Sequence, residues 1–133
     1  TRPRALRGDE DNDRMTSPIR SPLAEAIRAC ELAEEPGRAL DALIAVAVFP
    51  ALARLPAIGE GIWRGEDGAR VRALNYSQSR TAASTLVPPG HWLEEHDGAF
   101  IVTGERGEWL AAHPIETLAV CLAALRARAA FME

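Results

Sequence analysis

His91, His96 and His113, with Cys30 and Cys121, are the side chains of this sequence that could ligate a metal ion. Metal sites announce themselves by close ligand spacing such as CxxC, HxxxH or HExxH, because one turn then positions two ligands together. None of these spacings occurs, and neither a metal nor a cofactor is expected. Glu94-Glu95-His96-Asp97 reads as a solvated hairpin tip. Ser77, Ser79, Thr81, Ser84 and Thr85 cluster without the G-x-S-x-G elbow that would expose a nucleophile. Ser79 is better explained as a helix cap. Glu108, Glu116 or Asp97 could pair with a histidine, but acid–base work needs a positioned, pKa-tuned pair, and spacing supplies none. No catalytic residue is assigned. Gly59-Glu60-Gly61 with Gly65 lacks the following helix and the Lys-Ser/Thr of a phosphate loop, and reads as the lead into a strand.

The most suggestive pattern is an interleaving of aromatic and basic residues. Trp63, Tyr76, Trp92 and Trp109 lie on or beside expected strands, in a chain with only 5% aromatics. Arg64, Arg70, Arg72 and Arg80 are near them in sequence. Arg70 and Arg72 are two residues apart and so share one strand face. Flat rings for stacking and guanidinium forks for phosphate are what a nucleotide needs. The competing explanation is that the tryptophans anchor a core and the arginines coat a solvated face.

The elements that must position these residues follow from periodicity. Ser21 caps a helix from Pro22 to about Glu34, with Leu23, Ile27 and Cys30 inward. Pro36-Gly37 breaks it, and a second helix runs from Arg38 to Phe49 with Leu40, Leu43, Ile44, Ala47 and Val48 inward. The pattern then turns strand-like. "GIWRG" and "ARVRALNY" flank Asp67-Gly68, and "HWLEEH" and "AFIVT" flank Asp97-Gly98; Asp-Gly between such runs signals a hairpin. Between the two hairpins Ser79 caps a helix from Arg80 to Val87. Gly104 to Gly107 turns the chain into "EWLAAH", and a last helix spans Pro114 to about Ala130 with Leu118, Cys121, Leu122 and Leu125 inward. Arg126 and Arg128 suit the negative end of its dipole. The expectation is an α+β fold: one small antiparallel sheet of about five strands, hairpin plus meander, layered with about four helices.

The length of 133 residues suits one domain, expected over 22–133. Residues 1–21 carry charges and Ser-Pro pairs with little to bury, and are expected to be disordered. Met15 opens a sensible chain, so translation is expected to begin there. The hydrophobic fraction of 47% is that of a globular domain, and the net charge of −4 argues against general nucleic-acid binding. All 15 basic residues are arginine, which fits a GC-rich genome. No leader is visible and the longest apolar run, Ala42 to Ala53, is too short to span a bilayer, so no membrane partner is expected. The two cysteines read as buried free thiols in a reducing cytoplasm.

The stretch "NYSQSRTAASTLVPPGHWLE" followed by "HPIETLAVCLAALRARA" resembles the phage alpha-beta-alpha sandwich domain family. The resemblance rests on Tyr76, Ser79, Ala82, Ala83, Leu86, Val87, Pro88, Gly90 and Trp92, then Thr117, Leu118, Cys121, Ala124 and Leu125. "GRALDALIAVAV" looks like the family's Leu-Asp-x-x-Ile-Ala helix. The similarity spans about Leu32 to Ala130, with an extra hairpin at Asp67-Gly68. Where the family usually has Asp after the Ser79 cap, this chain has Thr81, so any role of that carboxylate is absent. The resemblance implies a phage or prophage origin, in the host bacterial cytoplasm, and it carries over no particular enzymatic activity. The expected function is a non-catalytic binding protein, in its concrete form an anti-defence sponge for a host nucleotide signal. Arg70, Arg72 and Arg80 would hold phosphate, and Trp63, Tyr76 or Trp92 would stack on the base. The alternatives are a protein–protein inhibitor of a host factor and a small-molecule enzyme acting on nucleotides. A homo-oligomer is compatible with a sponge, because a symmetric interface can build a pocket.

Overall fold

The computed structural model describes residues 21–132. Residues 1–20 of the expected disordered segment, and the expected start at Met15, lie outside the described residues. The element order is α1 (Pro22–Leu32), α2 (Arg38–Val48), a 3-10 turn (Pro50–Arg54), β1 (Ala57–Gly59), β2 (Ile62–Arg64), β3 (Arg70–Arg72), α3 (Arg80–Ser84), β4 (His91–His96), β5 (Ala99–Gly104), β6 (Gly107–Ala111) and α4 (Glu116–Met132).

The caps fall where the side chains dictate. Ser21 Oγ accepts from the Ala24 N–H at 3.0 Å and Ser79 Oγ from the Ala82 N–H at 3.2 Å, each satisfying a donor that the first helical turn leaves open. Both Asp-Gly sites make hairpins. Asp97 and Gly98 both have positive φ, 52° and 82°, as a two-residue type I′ turn requires. The Gly65–Ala69 closure holds a three-residue loop ending on Gly68 at φ 86°.

The expected single sheet is two. β1-β2-β3 and β4-β5-β6 are separate three-stranded antiparallel sheets. The missed strand is β1, whose three residues pair back on β2 across Glu60-Gly61. Gly61 therefore sits in the β1–β2 turn, at φ 72°, immediately before β2. A Cβ there would also meet Arg38 Nη2 at 2.6 Å. The sheets stay apart because the chain between β3 and β4 is occupied by the 73–79 connection and α3, both held by helices.

α4 is the centre of the molecule. It packs against α1, α3, β5 and β6, and residues 118 to 125 are buried all around its circumference. A helix apolar on every side belongs in a core. Phe100 and Val102 of β5 point at it. α2 is rotated relative to the expected stripe: Leu43 is 40% exposed, whereas Asp41 is fully buried. A carboxylate turns inward only where it is paired, and the partners of Asp41 hold the connection that forms one side of the candidate site.

Candidate ligand-binding site

Ser77 is the hub. Its N–H and its hydroxyl both donate to Asp41 Oδ1, at 2.8 and 2.6 Å, and its hydroxyl accepts from the Gly37 N–H at 3.1 Å. Asp41 Oδ2 accepts from Arg38 Nη1 at 3.0 Å. The rest of the Arg38 guanidinium reaches the carbonyls of Gly61, Ala73 and Leu74. From the other side, α4 presents one stripe at helical spacing. Thr117 Oγ1 donates to Ser77 O at 2.7 Å, Cys121 Sγ to Tyr76 O at 3.4 Å, and Arg128 Nε to Leu86 O at 2.6 Å. The irregular 73–77 connection is thus clamped by α2 and α4, which supply the partners a ladder would otherwise provide. Ser77 and Asp41 are both fully buried, so the pair is a strut and not a nucleophile with its base.

The clamped connection forms one side of a groove of about 640 Å³. Val48, Phe49 and Leu52 form the opposite apolar side, and Tyr76, Arg72 and Arg128 also line it. That volume is typical of small-molecule sites. Arg128 spends one donor on Leu86 O, which leaves the rest of its fork without a partner among the described residues. Burial lowers the pKa of Arg128, and the neighbouring Tyr76 phenol opposes that shift. Burial raises the Tyr76 phenol above its ordinary value, against the pull of Arg128. A partly desolvated guanidinium beside a neutral hydroxyl donor offers the chemistry to bind a phosphate or carboxylate.

The chain has a single tyrosine, so this environment can be read directly. Titration followed at 295 nm is expected to give a midpoint above about 10, the free-tyrosine value. R128A should move it higher still. The folded chain holds this proton more tightly than the unfolded chain does, so the stabilisation is intact below the unfolded pKa and lost as pH rises through the folded one. A midpoint at or below the free value would contradict the placement of Tyr76.

Of the six ligand-binding residues expected from sequence, the structure brings Arg72 and Tyr76 to the groove. Arg70 is exposed on β3, directly opposite Arg64 of β2. Trp63 is 6% exposed and belongs to the core; it pairs with Val71 on the inward face of its sheet, because Ile62 and Arg64 take the other face. Trp92 is on the other sheet, 55% exposed, with its indole N–H donating to Glu94 at 2.8 Å. Arg80 lies over the Phe100 ring at 4.9 Å and within 3.9 and 3.7 Å of Glu95 and Glu116. Its charge is already engaged. Cys30 and Cys121 are buried free thiols, and burial pushes Cys30 up to about 12. Among the described residues no three His, Cys, Asp or Glu side chains gather as metal ligands.

Sequence reasoning passed over Phe49, Asp41 and Arg128. Phe49 is 56% exposed and, with Tyr76, is one of two aromatic rings at the groove. Its signal was present: it falls outside the inward stripe of its helix and directly precedes Pro50. No family model, no curated protein and no solved structure matches this chain. Among the described residues no helix is long and apolar enough to cross a membrane.

Proposed function

We propose that the protein is a phage- or prophage-encoded, non-catalytic binding protein that sequesters a small nucleotide-type signal in the groove beside α4. One observation carries this reading: an apolar groove lined by Arg128, Tyr76 and Arg72, with Arg128 close enough to Tyr76 to oppose the rise of its phenol pKa. In this reading Arg128 and Tyr76 take the phosphate, and Phe49 gives the base a surface to stack on, a contact worth about 1–3 kcal/mol. The resemblance of the Tyr76–Gly90 and Thr117–Leu125 stretches to the phage family supports the biological setting.

The test is capture and release. The protein is incubated with cyclic and linear nucleotides, washed, heat-denatured, and the supernatant examined by mass spectrometry. Intact nucleotide in the supernatant is the expected result. Converted nucleotide would replace this reading with the enzymatic one. A second reading, a protein–protein inhibitor, is favoured by the outer face of the second sheet, where Trp92 and Leu110 are both more than half exposed. Nothing captured and nothing converted would put that reading first.

A further inference from the structure

The groove has a neighbour. On the far side of Phe49 and Leu52 lies a second, more open hollow of about 800 Å³, whose charged lining is Arg54, Arg64, Glu66 and Asp67. Phe49 and Leu52 belong to both hollows. Each hollow has two arginines: Arg72 and Arg128 in the first, Arg54 and Arg64 in the second. Arg54 and Arg64 are exposed and have no carboxylate partner among the described residues. Arg64 also faces Arg70 directly across the β2–β3 pair. Like charges in directly opposed positions weaken a strand pair. Asp67 uses one oxygen to accept the Ala69 N–H at 2.9 Å. An anion bound at Arg64 in the hollow would relieve that repulsion.

Resting on the reading of the first groove as a nucleotide site, we propose that the second hollow is a second nucleotide subsite, so that the ligand class is a dinucleotide. Phe49 stands between the two units. Arg54 and Arg64 hold the second phosphate, and the Glu66 carboxylate accepts from a ribose hydroxyl or a base amino group. A single nucleotide fills only the first hollow, where Arg128 and Tyr76 hold its phosphate.

The experiment compares AMP with the linear dinucleotide pApA, and GMP with pGpG, by isothermal titration on the full chain. The expected result is that one dinucleotide binds at least tenfold tighter than its mononucleotide. Arg54→Ala with Arg64→Ala is expected to bring the dinucleotide down to mononucleotide affinity and to leave the mononucleotide within about twofold, as loss of one charge-assisted phosphate contact implies. Both arginines are exposed, and an unchanged melting temperature confirms that the double variant is folded. Equal affinity of mono- and dinucleotide, or an equal loss for both in the variant, would overturn the second subsite while leaving the first groove intact. No binding of any of the four probes would overturn both.

Discussion

Substituting Asp41 by Ala is expected to lower the melting temperature by about 10–15 °C. The carboxylate is fully buried and receives three hydrogen bonds, two from Ser77 and one from Arg38. Removing one partner of a buried charged network costs about 3–5 kcal/mol, because what remains is left desolvated without its counterpart. Here the Ser77 N–H would be orphaned in the interior, and Arg38 would keep only its carbonyl partners on the connection and on Gly61. A domain of this size loses a few degrees per kcal/mol, which gives the stated shift. Ser77→Ala should cost less, about 1–2 kcal/mol, since Asp41 keeps the Ser77 N–H and Arg38. The double variant should fall well short of the sum, as residues of one network do. Because Asp41 and Ser77 hold the segment that carries Tyr76, both variants should also loosen the groove. A D41A melting temperature within about 3 °C of wild type, read by circular dichroism, would show that the strut does not hold the connection.

Local signals account for most of the elements. The Ser21 and Ser79 caps and the two Asp-Gly turns are decided within a few residues, and each is found where the sequence places it. The second sheet was hidden for the opposite reason. Whether a hairpin joins a later meander depends on what packs between them, and nothing local to "RVRALNY" says that Arg38 and Thr117 will hold that stretch away. The site followed the same rule. Arg72 and Tyr76 were legible because a strand and its tail carry them together. Asp41 meets Ser77 across 36 residues, and Arg128 meets Leu86 across 42. In sequence, Arg128 reads as a complement to a helix dipole, which any cation in that turn would be. Trp63 shows the converse: proximity to Arg64 and Arg70 in sequence suggested a binding surface, but strand alternation sends the ring inward and the guanidiniums outward.

The substitution Arg128→Ala is expected to weaken nucleotide retention by about 30- to 100-fold, corresponding to loss of a partly buried charge-assisted phosphate contact of about 2–3 kcal/mol. The effect on folding should be much smaller. Only the Leu86 carbonyl loses a donor, a change of about 1 kcal/mol, so R128A should stay folded and be readable as a binding variant. Arg128→Lys separates charge from geometry. An ammonium keeps the positive charge but lacks the rigid fork that bonds Leu86 O and a phosphate at once, so R128K should recover less than half of the lost free energy. The Tyr76 titration provides the internal control: removing the guanidinium raises the phenol's midpoint whether or not a ligand exists. If that midpoint rises in R128A and the affinity for AMP or pApA stays within about threefold of wild type, then Arg128 sits beside Tyr76 as placed and yet does not hold the phosphate. The anion would then have to lie towards Arg72, at the β3 side of the groove, and R72A would become the variant that abolishes binding. If R128A alone abolishes retention while the midpoint rises, the phosphate belongs between α4 and Tyr76, and Phe49 is left as the ring against which the base stacks.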